Sequence, residues 1–252
     1  MGRGKMSCYT GTRMETLARG ARTLGLELTV EQLDKFERYY RELIARNRDV
    51  NLTRITDRED VQVRHFLDSL SCLAVMGAPG SLKGRTVIDV GSGAGFPGLP
   101  VRIAAPGLRL TLLEATGKKA DFLRDMVELL GLSDVDVVTG RAEELARKAA
   151  HRESYDFVLA RAVAELPALA ELMLPLCRTG GKCLALKKGD VAGEAQKAEK
   201  AVAVMGGRLA QLYPATIIPG ETDRCIAVME KTSTTPERYP RRSGMPVKRP
   251  VI

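Results

Sequence analysis

Apolar positions recur at helical spacing through the first third of the chain. Thr29 and Gln32 form a capping-box pattern, and Leu33, Phe36, Tyr40, Leu43 and Ile44 follow on one face, predicting an amphipathic helix over 30–48. Asp57 is placed to cap a second helix carrying Val63, Phe66, Leu67, Leu70 and Leu73 on one side. From residue 84 the period changes. Apolar runs at 85–90, 109–114, 135–139, 156–160 and 182–187 alternate with helical stretches near 97–104, 118–130, 141–150, 165–177 and 190–205. That alternation predicts an α/β fold with a Rossmann-like parallel sheet covered by helices. Two last runs, 209–218 and 224–230, flank Pro219-Gly220 and predict a closing antiparallel hairpin. The expected organisation is a poorly structured basic segment at 1–23, a helical module at 24–80, a ligand-binding domain at 81–231 and a basic proline-rich tail at 232–252.

Charge sharpens this division. The net +8 is carried by the ends: residues 1–25 hold +4 and 231–252 hold +5, whereas 26–230 sum to −1. Basic ends on a neutral body suit a phosphate-rich partner. Prolines at 236, 240, 246 and 250 forbid a long helix or central strand in the tail, so it is expected to be an extended arm. No apolar run reaches the roughly 20 residues of a membrane span, and 1–25 has no secretion-signal core, so a cytoplasmic location and no membrane contact are expected. Met14 is a second candidate for the translation start. Five cysteines without a C-x-x-C spacing and only two histidines predict reduced thiols and no metal. A monomer is expected.

The chemistry concentrates at VIDVGSGAGFPG, residues 87–98, where a strand runs into alternating glycines. Glycines at 91, 93 and 95 permit positive φ and close ligand approach. Two cofactors stay open on this loop. Gly93, Gly95 and Gly98 satisfy G-x-G-x-x-G, with Glu114 21 residues after Gly93, which suits a nicotinamide dinucleotide. Asp89, just before the loop, argues for a cationic ligand instead, because a carboxylate repels pyrophosphate; S-adenosylmethionine, with Glu114 on its ribose, fits better. A plain tight turn is the bland alternative. Later strand ends add Ala142 and Glu143, which begin a helix and can receive an adenine edge, and Arg161.

NLTRI at 51–55, VRHFLDSL at 63–70, DVGSGAGFPGLP at 89–100, LLEATGKKADFLRD at 112–125, GRAEEL at 140–145, LARAVAEL at 159–166 and LALKKGD at 184–190 resemble, in order, the bacterial glucose-inhibited division protein B family. The resemblance spans about residues 24–230 and implies a class I methyltransferase fold and methyl transfer from S-adenosylmethionine to guanine N7 of 16S ribosomal RNA. By position it implies cofactor contacts at Gly91, Phe96, Ala142, Glu143 and Arg161. LARAVAEL holds neither an Asn-Pro-Pro-Tyr clamp nor a nucleophilic cysteine, which agrees with attack by an N7 lone pair that carries no proton.

Arg161 is the candidate for the group nearest the reacting base, with a structural salt bridge as its alternative. Asn51, Arg64, His65, Lys187 and Lys188, with Arg238, Arg241, Arg242, Lys248 and Arg249 of the tail, are candidate contacts to ribosomal RNA or a ribosomal particle. Arg64 and Asp68, four apart on one helix, can also pair with each other, and His65 can be a buried hydrogen-bonding residue. A nicotinamide-dependent oxidoreductase and a non-catalytic RNA-binding assembly factor are the competing functions.

Overall fold

The computed structural model describes residues 14–215 and 223–252. The chain begins with α1 (Glu15–Thr23), α2 (Val30–Val50) and α3 (Arg58–Val61); α3 continues through a π-helical turn, Gln62–Leu67, into α4 (Asp68–Leu70), and α5 (Leu73–Met76) follows. The α/β part then runs β1 (Thr86–Val90), α6 (Gly98–Ala104), β2 (Arg109–Glu114), α7 (Gly117–Leu129), β3 (Val135–Thr139), α8 (Ala142–Leu145), β4 (Tyr155–Arg161), α9 (Leu166–Met173), β5 (Cys177–Lys188), α10 (Val191–Val204), β6 (Gly207–Pro214), β7 (Arg224–Lys231) and α11 (Met245–Lys248).

The described strands form one sheet in the order β3-β2-β1-β4-β5-β7-β6. β1 to β5 pair in parallel, and β7 enters antiparallel between β5 and β6. The expected hairpin is therefore present, while its turn at Pro219-Gly220 lies outside the described residues. Because β2 and β3 lie to one side of β1 and β4 to the other, the strand order reverses between β1 and β4. Ligands bind beyond the strand carboxyl ends at such a reversal. One core layer, including Phe36, Leu43, Phe66 and Leu70, joins the helical module to the sheet; a second, including Leu169, Met173, Ala198 and Val202, fills the opposite face.

The capping box forms as expected, with Thr29 and Gln32 exchanging bonds at the start of α2. The second predicted helix forms on its expected cap, Asp57 accepting from Glu59 and Asp60 N–H, and runs unbroken to Leu70 through the π turn. Two expectations need correction. The segment 1–23 is not unstructured over its described part: α1 buries Leu17 and Ala21, and the Leu17 amide donates to Gln62 Oε1 at 3.1 Å. Gly20 makes that docking possible, since a Cβ there would overlap Leu67. The tail, finally, is not a free extended arm but is bonded to the body: Arg152 donates to the carbonyls of Thr235 (2.8 Å) and Tyr239 (3.0 Å), and Pro246 is buried.

Candidate active site

Gly91, Gly93 and Gly95 have φ of 69°, 58° and 95°, the region that the alternating glycines imply. Gly95 is also a packing position: an added Cβ would stand 2.5 Å from Leu99 Cδ1 and 2.6 Å from the Tyr39 hydroxyl. That hydroxyl donates to the Ala94 carbonyl, so α2 holds the loop from below. The helical pattern singles out Tyr40, but the buried residue is Tyr39, three residues after Phe36, a spacing that could have revealed it.

The loop's amides are spent on the protein itself. Gly91 and Ser92 N–H donate to Leu113 O (2.8 and 3.0 Å), Gly95 N–H to Ser92 O (2.7 Å), Gly93 N–H to Glu114 Oε2 (2.9 Å) and Gly98 N–H to Asp89 Oδ2 (2.9 Å). A pyrophosphate would find these donors taken, two of them by carboxylates. The cradle thus fits a phosphate-free, cationic ligand, with Glu114 at its edge also accepting from Thr116 N–H at 2.8 Å.

Asp89 requires a correction. Expected to face the ligand, it is fully buried beneath the loop, its Oδ1 has no partner, and burial pushes its carboxyl up to about 7 against the pull of Gly98 N–H and Arg161. Its work is to hold the loop, and any charge it offers acts through the protein. Phe96 is likewise enclosed: its ring stacks on Tyr39 (5.3 Å between centroids) and on His65 (4.5 Å), with the Arg161 guanidinium 4.9 Å from its centre.

Arg161 ends β4 at the centre of this arrangement. It pairs with Asp68 Oδ2 at 3.0 Å and donates to the Arg64 carbonyl and His65 Nδ1, each at 3.1 Å. Asp68 receives a second guanidinium from Arg224, Nη1 to Oδ1 at 2.8 Å. The salt-bridge alternative at Arg161 is therefore met, by an ion pair with the buried Asp68 at the carboxyl end of β4. Arg64 does not pair with Asp68; it bonds Asp60 at 2.9 Å. His65 Nε2 lies 2.8 Å from Thr53 Oγ1, and its Nδ1 lies 3.1 Å from both Arg161 Nη2, which can only donate to it, and the Arg64 carbonyl, which can only accept from it. Burial, then the neighbouring Arg161 charge, lower the His65 pKa to about 3. The imidazole is thus bonded within the protein while it also lines the larger cavity beside Arg161.

Two cavities flank residues 161–163. One of about 160 Å³ lies at the ends of β1 and β2, lined by Val90, Leu113, Ala142, Glu143 and Val163. The other, about 430 Å³, opens toward the helical module and is lined by Arg64, His65, Arg161, Lys188 and Arg224. Val163 overhangs the loop, 2.9 Å from where a Cβ on Gly91 would sit. Lys187 is corrected from a surface contact to a strut: its Nζ bonds Ala164 O at 3.0 Å and Glu194 at 2.6 Å. Lys188 is half exposed and lies 3.9 Å from Asp223. Asn51 is exposed at the left-handed C-cap of α2, outside both cavities' walls.

In the tail, Arg238, Arg242, Lys248 and Arg249 are exposed, but Arg241 is not available: it forms a bidentate pair with the buried Glu171 (2.7 Å, Nη2 to Oε2). Sequence reasoning missed Arg224 and Glu171 because their partners lie far away in the chain. No described helix is long and apolar enough to cross a membrane, and no group of three potential metal ligands occurs among the described residues.

Residues 32–216 match the family model described as rRNA small subunit methyltransferase G. Proteins named ribosomal RNA small subunit methyltransferase G are similar along their whole length: that of Roseiflexus sp. (strain RS-1) is 51% identical over 239 residues, 94% of this chain and 100% of the relative. That of Dehalococcoides mccartyi (strain CBDB1) is 47% identical over 239 residues, 95% and 100%. Among solved structures, a SAM-dependent methyltransferase from Aquifex aeolicus superposes with TM-score 0.50 at 16% identity, covering 69% of this chain and 92% of that one. MtNAS in complex with MTA and tNA gives 0.53 at 16% identity, 87% and 76%. The fold is that of class I methyltransferases.

Proposed function

The chain belongs to the rRNA small subunit methyltransferase G family, and from that membership we propose that it transfers a methyl group from S-adenosylmethionine to N7 of a guanine in 16S ribosomal RNA. The full-length match to relatives so named carries the assignment. The occupied loop amides support the cofactor, since they leave no anion nest for a dinucleotide.

The cofactor, when bound, supplies an electrophilic methyl on a sulfonium. Guanine N7 brings an in-plane lone pair and no proton, so the N–C bond forms as the S–C bond breaks and no base is needed. The site agrees with that economy: His65 is held neutral by burial and by the Arg161 charge beside it, and Asp89 is sealed from solvent. What remains is placement. Gly91, Gly93 and Gly95 give the loop its shape, Glu114 stands where ribose hydroxyls would lie, and the Ala142–Glu143 cavity takes the adenine. On the other side, Arg161 sits between the cavities and is the residue assigned to guanine O6. Arg64, Lys188 and Arg224 face the cavity that would take the base and its phosphates, and the exposed Arg238, Arg242, Lys248 and Arg249 add attraction at longer range.

Nucleoside mass spectrometry of 16S ribosomal RNA tests this. N7-methylguanosine is expected at one site in cells carrying the gene and absent without it, and Arg161→Ala should not restore it. Unchanged N7-methylguanosine on deletion would refute the activity. Calorimetric binding of NAD in place of S-adenosylhomocysteine would favour the oxidoreductase. Cofactor binding with no tritium transfer to small-subunit particles would favour the assembly factor.

A further inference from the structure

Tail composition predicts an arm reaching away from the body toward RNA; its bonds instead turn it inward. Arg241 N–H and Nε donate to Glu171 Oε1 at 2.6 and 3.0 Å. Its Nη2 also donates to Arg249 O at 2.8 Å, tying 241–249 into a closed turn. Within that turn Ser243 Oγ donates to Glu144 Oε1 at 3.0 Å, and Gly244 N–H donates to Glu143 Oε1 at 2.7 Å. Gly244 adopts φ of 82°, which a side chain would strain, although the space around its Cβ position is open. Gly244 and Val247 line the same cavity of about 160 Å³ as Val90, Leu113 and Glu143. Val247 keeps 58% of its surface exposed there, an apolar side chain at the mouth of a mainly apolar cavity.

We propose that the turn 241–249 is a wall of the cofactor's base pocket, with Gly244 orienting the Glu143 carboxylate and Val247 covering the base. The inference rests on the cofactor reading above and extends it: the tail sets affinity for the methyl donor, and its outward cations are separable from that role. One oxygen of Glu143 is fixed by a backbone N–H that needs a left-handed residue, which leaves the other for an exocyclic amine. Arg241 and Glu171 hold the turn in place, and at 1% exposure Glu171 has no water to replace a lost guanidinium. Gly244 and Val247 are positioning and specificity-determining residues, not catalytic ones.

The test is calorimetry with S-adenosylhomocysteine on the full chain, beside binding of a 16S ribosomal RNA fragment over a salt series. Val247→Trp fills the cavity from an exposed position and should leave thermal stability unchanged. It is expected to weaken S-adenosylhomocysteine at least tenfold and RNA less than twofold. Gly244→Ala, which meets no atom and acts through φ alone, should cost severalfold in the same direction. In wild type, S-adenosylhomocysteine should slow tryptic cleavage at Arg242 and Lys248 at least fivefold. Cofactor affinity within twofold of wild type in Val247→Trp, or no protection of the tail, overturns the inference while leaving the methyltransferase reading intact. Failure of the wild type to bind S-adenosylhomocysteine overturns both.

Discussion

The two sides of residues 161–163 are built by opposite means. Toward the helical module the wall is ionic: Arg161 and Arg224 share the buried Asp68, and Phe96, His65 and Tyr39 stack behind them. Toward β2 and α8 the wall is made of backbone, with glycine amides donating to Glu114, Asp89 and main-chain carbonyls, and a tail amide donating to Glu143. An ionic wall can exchange partners with a polyanion as it arrives. A wall of fixed amides offers one shape, which suits a small ligand that is the same at every turnover. On the function proposed above, cofactor recognition would be conformational and substrate recognition electrostatic.

The sharpest way to break the contrast is Asp68→Ala, which leaves two guanidiniums without their buried counter-charge. About 3–5 kcal/mol of stability should be lost in denaturant unfolding. If the loss is below about 1 kcal/mol, the ionic wall is not what holds that side. Gly95→Ala attacks the other side through sterics and through φ of 95°, and should cost about 1–3 kcal/mol and at least tenfold in S-adenosylhomocysteine affinity. Retained affinity would show that the loop tolerates a second shape.

A pH series separates two buried groups with opposite signs. The His65 pKa is lowered to about 3 from 6.5, so between those values the unfolded chain binds a proton that the folded one refuses, and stability falls as pH drops. Asp89 is raised to about 7 from 3.8, so in that window the folded chain keeps a proton the unfolded one has released, and stability falls as pH rises. Between about pH 4 and 6.5 the two offset each other. Replacing His65 with Gln should therefore expose a decline with rising pH, and Asp89→Asn a decline with falling pH, each approaching about 1.4 kcal/mol per pH unit. Parallel slopes in both variants would remove these groups as the cause. The smallest effect is expected for Lys188→Ala: stability within about 0.5 kcal/mol. Its RNA salt slope should be shallower by about 0.7–0.9, and an unchanged slope would move the phosphate contacts elsewhere.

Local chemistry was legible in advance. Alternating glycines can be read as positive φ without any neighbour, and runs that alternate with helical stretches can be read as a parallel sheet. The two acids near the loop were legible as neighbours of its glycines, although their means of action were not: Asp89 lies in the core rather than facing solvent, and Glu114 accepts from Gly93 and Thr116 N–H, one on each oxygen. What stayed hidden depends on partners remote in the chain. Helix α1 shows only two buried positions and a glycine, which gives a weak periodic signal until Leu67 is seen against Gly20. Tail composition read as a solvated arm because nothing near residue 241 announces Glu171, seventy positions earlier. The same failing misplaced Lys187: a basic residue at a strand end reads as a phosphate contact, but its partner Glu194 sits on the next helix and takes up the charge.

The clamp on Asp68 spans 93 residues to Arg161 and 156 to Arg224. The glycine loop closes over far shorter stretches, nine residues from Asp89 to Gly98. Ring closure grows more costly in entropy with separation, so short circuits form before long ones. During folding, the glycine loop should therefore take shape first, and the clamp on Asp68 should close last, once β7 has docked. A chain halted before β7 docks would then hold a formed loop beside an unclosed ionic wall.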